Sequence, residues 1–95
     1  MPVYLIAQVD IHDRSVYEKY RSAFMDIFNP HDGKLLSVEE APQVIEEEWG
    51  FSRTVLMEFP SEDQALAWYN SAEYQAILQP RHAASTANLV LVRGR

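Results

Sequence analysis

Apolar residues alternate along four short segments of this 95-residue chain, and helical periodicity fills two of the intervals between them. The resulting order, strand, helix, strand, strand, helix, strand, predicts an α+β fold of the split βαβ kind. In this ferredoxin-like βαββαβ arrangement a four-stranded antiparallel sheet carries both helices on one face. The length suits one domain spanning residues 1–95.

The first strand is expected over Val3 to Asp10, a run rich in Val, Ile, Leu and Tyr. Val3, Leu5, Ala7 and Val9 then share one face, and Tyr4, Ile6, Gln8 and Asp10 the other. Asp13 is suited to cap a helix. Tyr17, Tyr20, Phe24, Ile27 and Phe28 follow at helical spacing until Asn29-Pro30 stops the run, which sets a helix over residues 14–28. After the His31-Asp32-Gly33 turn, Lys34 to Glu39 forms the second strand, which Ala41-Pro42 interrupts at an exposed tip. Gln43 to Trp49 is assigned a short additional strand.

Arg53 to Phe59 is the third strand, with Val55, Met57 and Phe59 on one face and Thr54, Leu56 and Glu58 on the other. Pro60 closes it. Ser61-Glu62-Asp63-Gln64 has the pattern of a capping box and starts a helix that runs to Asn70. Ser71 caps a further helical segment carrying Tyr74, Ile77 and Leu78. Pro80 should end that segment, because its ring cannot continue the backbone ladder. Asn88 to Arg93 supplies the fourth strand. A twofold echo runs through the order: Tyr20 lies seven residues after its cap Asp13, and Trp68 seven after Ser61. Two helical turns from the cap place each ring on its helix's sheet-facing side.

Eight Lys plus Arg against 14 Asp plus Glu give a formal charge of −6, which opposes binding to nucleic acid and to anionic membranes. Glu39, Glu40, Glu46, Glu47 and Glu48 fall in one stretch without a basic residue, in the pattern of a solvated hairpin that resists edge pairing. No cysteine is present, so disulfides, thiolate metal sites and cysteine nucleophiles are excluded. The apolar run Val3 to Ala7 is too short for a signal segment or a membrane span, and a cytoplasmic location is expected. His12, His31 and His82 lack the close spacing that would place two imidazoles on one metal, and no metal or cofactor is expected.

Two helices cover one face of a four-stranded sheet, yet Tyr4, Ile6 and Leu56 put apolar side chains on the other. A second copy of the same sheet is the simplest cover, so a homodimer packed through its sheet faces is expected.

Glu48-Trp49, the run Arg53 to Ser61 (RTVLMEFPS), Trp68-Tyr69, Ser71, Glu73-Tyr74-Gln75, Arg81 and the terminal LVLVRG resemble the family catalogued as domain of unknown function 1330. The apolar first strand, Asp13, Tyr17, Tyr20 and Arg21 are similar to the family's usual opening, so the resemblance covers the whole chain. It implies the dimeric α+β barrel superfamily, in which two ferredoxin-like protomers join their sheets and each can hold a pocket between sheet and helices. Many relatives are glycine-rich at the hairpin tip, where this chain has Glu39-Glu40-Ala41-Pro42. The family name carries no reaction.

The candidate ligand-binding residues are Tyr20, His31, Arg53, Glu58, Trp68, Tyr69 and Arg81. Tyr20, Trp68, Tyr69 and Tyr74 offer aromatic surfaces with polar tips, suited to a flat organic ligand and equally to a core. His31, at the end of the first helix, suits a helix C-terminus or a pocket mouth. Arg53 presents a planar fork for a carboxylate, or pairs with Glu48 across the hairpin. Glu58 faces the dimer side beside Leu56, as an interface carboxylate or a general acid or base. Arg81 could close a pocket for an anion or meet the carbonyls ending the preceding helix. No catalytic residue is singled out. The expected function is a homodimeric small-molecule-binding protein, with cofactor-independent oxygenase or isomerase chemistry on an aromatic or carboxylated metabolite as the superfamily analogue. The alternative is a non-catalytic dimeric interaction module whose acidic hairpin binds a basic partner.

Overall fold

In the computed structural model, which describes residues 1–95, strand β1 (Val3–Ile11) lies inside the sheet. It pairs antiparallel with β3 (Arg53–Phe59) on one side and β4 (Ser85–Arg93) on the other. Strand β2 (Lys34–Glu39) is antiparallel to β3, giving the order β2-β3-β1-β4. β1 carries apolar residues on both faces, as an interior strand should. Edge strand β2 is exposed throughout and has a charged residue at each end. The helices α1 (Arg14–Phe28), α2 (Glu62–Tyr69) and α3 (Ala72–Ala84) complete a ferredoxin-like α+β fold. The Cα trace forms a slab of 32 × 30 × 15 Å, thin enough to leave one sheet face bare.

The core lies between sheet and helices. Val3, Leu5, Val9, Met57 and Phe59 are buried on the inner face, as period-two alternation requires, against Tyr17, Tyr20, Phe28, Trp68, Tyr74 and Leu78. Phe28, Phe59 and Trp68 form its densest part. The Phe28 ring meets Trp68 edge-on at 5.5 Å and Phe59 at 5.3 Å. The outer face presents Tyr4, Ile6, Leu56, Val90 and Val92, cross-strand neighbours that are half-buried or exposed.

The Asp13 carboxylate caps α1 by accepting from the Val16 amide at 3.2 Å. The Ser15 hydroxyl donates to the same oxygen, and these bonds hold the carboxyl below the usual carboxylate range. Pro30 sits in a single 3-10 turn, Asn29–His31, after which Asp32 takes a left-handed conformation (φ 63°). Ser61 caps α2 by accepting from the Gln64 amide, and its hydroxyl donates to the Gln64 side-chain oxygen. Tyr20 and Trp68 are both buried on the sheet side of their helices, as their spacing from the caps predicts.

Three expectations are corrected. Helix α3 does not end at Pro80 but continues to Ala84. Proline costs a helix bond here, yet Leu78, Arg81 and Ala84 are buried on either side of it, so packing outweighs the local penalty. Strand β4 begins at Ser85 rather than Asn88, directly after α3. The small polar run Ser85-Thr86-Ala87 lacks a strand's apolar pattern but pairs with the end of β1, and the Ser85 hydroxyl donates to the Arg81 carbonyl at 2.6 Å. Gln43 to Trp49 forms no strand. It follows Pro42, carries three adjacent glutamates and has a left-handed residue at Glu47 (φ 56°). No helix is long and apolar enough to cross a membrane.

Candidate functional site

Along the inner face of β1 the side chains shrink from Leu5, opposite Met57 and Leu91, to Ala7, opposite Val55 and Leu89. The methyl of Ala7 leaves space that the helices do not fill, and a cavity of about 350 Å³ opens there. That volume lies in the range of about 300–1,000 Å³ usual for small-molecule sites. Tyr17, Tyr20 and Phe24, on successive turns of one α1 face, form one wall, while Trp68 and Tyr74 bring aromatic surface from α2 and α3. Trp68 and Tyr74 lie 4.2 Å apart between ring centroids, so the wall is a continuous aromatic surface. Thirteen of the 16 lining residues are hydrophobic, which favours a flat apolar ligand body.

The polar groups on this wall are few. The hydroxyls of Tyr20 and Tyr74 are 2.7 Å apart and joined by a hydrogen bond. Burial pushes the Tyr20 phenol well above its ordinary pKa, aided by the neighbouring Tyr74, and burial raises Tyr74 as well. Both therefore stay protonated at neutral pH. One hydroxyl donates to the other, leaving one O–H free for a ligand oxygen.

Three arginines also line the cavity. Arg21 makes a bidentate pair with Glu18, both bonds at 2.8 Å. Arg53 pairs through Nη1 with Glu40, and its guanidinium carbon lies 5.6 Å from the Tyr17 ring centroid. Arg81 is 8% exposed, takes part in no ion pair, and lies 5.7 Å from the Tyr20 ring centroid. The buried side-chain polar atoms without a hydrogen-bond partner are Arg53 Nε, Trp68 Nε1 and Arg81 Nε. All three are donors on cavity-lining residues.

Of the candidate residues, Tyr20, Arg53, Trp68 and Arg81 come together on this cavity, and His31, Glu58 and Tyr69 do not line it. His31 ends the 3-10 turn after α1. Glu58 lies on the outer sheet face opposite Tyr4 and Lys34. Tyr69 lines a smaller, wholly hydrophobic cleft of about 250 Å³ with Leu5, Ala65 and Leu66. The hairpin partner of Arg53 is Glu40, not Glu48, because residues 43–49 leave the sheet while Glu40 directly follows β2. Tyr74, grouped with Tyr20 and Trp68 for its aromatic surface, also lines the cavity, whereas Tyr17, Arg21, Phe24 and Glu40 were not singled out for a site. The spacing of Tyr17, Tyr20, Arg21 and Phe24 marks one helix face, but that pattern equally describes plain core packing.

Fold and cavity together define a ferredoxin-like α+β protein with a small-molecule-sized aromatic chamber between its sheet and helices. The chain belongs to the family described as Domain of unknown function (DUF1330), whose match spans residues 2–95. No curated protein matches it. Among solved structures it is similar to RPA0582, a protein of unknown function from Rhodopseudomonas palustris, at 14% identity and TM-score 0.82, covering 99% of this chain and 82% of that one. It is also similar to SnoaB, a cofactor-independent oxygenase from Streptomyces nogalater, at 14% identity and TM-score 0.70, covering 99% and 93%. A dimeric ferredoxin-like protein of unknown function from Jannaschia sp. CCS1 matches at 13% identity and TM-score 0.68, covering 99% and 100%. At such identities the likeness is one of fold.

Proposed function

We propose that this chain forms a homodimer of single-domain protomers joined through the outer faces of their sheets, and that each protomer binds an aromatic or carboxylated metabolite in its cavity. The observation that carries the ligand half is the chamber itself. A chain of 95 residues has little interior to spare, yet a cavity of about 350 Å³ lies between Ala7 and five aromatic side chains. Cofactor-independent oxygenation or isomerisation is the reaction class this wall suits, since protein positioning and stabilisation of a substrate anion do the work there. A protonated tyrosine pair beside an unpaired arginine supplies donors for such an anion, and the likeness to SnoaB in fold supports the same class.

The dimer half rests on the bare sheet face. Ile6 lies between Leu56 and Val90 in register, and Val90 and Val92 are about half exposed. The accessible surface of 6127 Å² exceeds the roughly 5,600 Å² expected for a monomer of this mass. Two proteins of similar fold, one from Bacteroides fragilis and the one from Jannaschia, are described as dimeric.

Thermal unfolding in the presence of a panel of aromatic acids tests the ligand half. A compound at tenfold its Kd adds about 1.4 kcal/mol, a rise in Tm of roughly 6–11 °C for a chain of this size. A folded protein whose Tm no aromatic acid raises at millimolar concentration contradicts it. Oxygen uptake or isomerised product with a binding compound tests the reaction class, and binding without either confines the chain to a binding role.

A further inference from the structure

The three cavity arginines are not equally available to a ligand. Arg21 is taken by Glu18 and Arg53 by Glu40, which leaves Arg81, the most buried of the three, as the one without a carboxylate. Arg81 lies in the last turn of α3, where the helix dipole favours a cation, and beside the π-face of Tyr20. Each offsets only part of a unit charge, and a buried cation without a full counter-charge is costly. Every orphaned buried side-chain polar atom in the molecule is a donor on a residue lining this chamber. The Arg81 Nε has no hydrogen-bond partner, and a guanidinium fork matches a carboxylate through two parallel bonds.

We infer that the chamber selects a flat aromatic monocarboxylate anchored on Arg81, and that Glu40 sets this charge preference by cancelling Arg53 and so barring a second anionic group. The inference rests on the proposal that the cavity binds small molecules, and states which it takes. Glu40 directly follows the edge strand β2 and is itself largely exposed. A ligand's second carboxylate would have to displace a carboxylate tethered to the same hairpin, which competes at the high effective concentration of an intramolecular group.

Calorimetric titration of the full chain with 2-naphthoate, 2-naphthamide and naphthalene-2,6-dicarboxylate tests this. The parent should bind 2-naphthoate about tenfold more tightly than either other compound. Arg81→Gln should bring the naphthoate-to-naphthamide ratio to about one, and Arg81→Lys should keep part of the preference. Glu40→Gln should strengthen binding of the dicarboxylate about tenfold and leave 2-naphthoate within about threefold of the parent. Equal binding of 2-naphthoate and 2-naphthamide by the parent overturns the role of Arg81 while leaving cavity binding intact. An unchanged dicarboxylate affinity in Glu40→Gln overturns the role of Glu40. Failure of all three compounds to bind the folded parent overturns the cavity proposal itself. Should Arg81→Gln not fold, the parent's ratio and Arg81→Lys still decide the matter.

Discussion

The hydroxyls of Tyr20 and Tyr74 meet at 2.7 Å across 54 positions of sequence, and their hydrogen bond ties α1 to α3 at the wall of the cavity. The rings cross edge to face at 6.0 Å, so the contact is apolar along the rings and polar only at their tips. Each phenol relieves the desolvation of the other. Losing one partner strands a buried hydroxyl, which is why the pair acts as a unit.

Tyr20→Phe should therefore lower stability by about 1–2 kcal/mol, and adding Tyr74→Phe should cost less than about 0.5 kcal/mol more. Urea unfolding of the parent, both single variants and the double variant measures the coupling. Strictly additive losses would show that the two hydroxyls do not depend on each other.

The raised pKa values of the same pair give a pH dependence of defined sign. Between the ordinary tyrosine pKa, about 10, and the higher folded-state value, the native state holds protons that the unfolded state has released. Their contribution is therefore fully present below pH of about 10 and is lost as pH rises through the folded-state values. Phenolate absorbance should accordingly show that Tyr20 and Tyr74 titrate only together with unfolding, and Tyr20→Phe should flatten the alkaline decline in stability. A reversible titration of all five tyrosines with the fold intact contradicts the assignment.

Gly33 follows the turn after α1 and abuts the ring of Phe28, which is fully buried. A Cβ at this position would run into that ring, and the dense packing around Phe28 gives it little room to yield. Gly33→Ala should thus destabilise the fold by about 1–3 kcal/mol, with the urea m-value unchanged. A neutral substitution would mean that the ring shifts freely.

An aspartate at the centre of the outer sheet face should break the dimer without disturbing the inner core. Light scattering after gel filtration should give a dimer for the parent and a monomer for Ile6→Asp, with retained helical circular dichroism. A monodisperse parental monomer at micromolar concentration removes the sheet-to-sheet arrangement.

Much of the fold was legible because local signals agreed. Asp13, Ser61 and Ser71 each cap the helix that their position predicts, and alternation assigns Val55, Met57 and Phe59 to the core face and Glu58 to the outer one. Pro80 shows where a local rule fails, since the burial of Leu78, Arg81 and Ala84 holds α3 together beyond it. The site was less legible. Tyr17 and Phe24 line a chamber together with Ala7, a residue on the preceding strand whose small size matters only once β1 faces α1. The choice between Glu40 and Glu48 as the partner of Arg53 depends on where the chain leaves the sheet, which the local pattern of Gln43 to Trp49 does not mark.

The most direct test of cavity binding uses the two tryptophans, whose indole N–H signals are resolvable by proton–nitrogen correlation NMR. Trp68 is buried on the cavity wall, whereas Trp49 is half exposed and donates to the Thr54 hydroxyl at 2.9 Å. Titration with 2-naphthoate should move the Trp68 indole signal saturably and leave that of Trp49 in place. Ala7→Leu, which adds side-chain bulk at the floor of the chamber, should reduce the shift in a protein that remains folded. A stationary Trp68 signal despite measurable binding, or an Ala7→Leu variant that binds as the parent does, would contradict the assignment of the chamber as the ligand site.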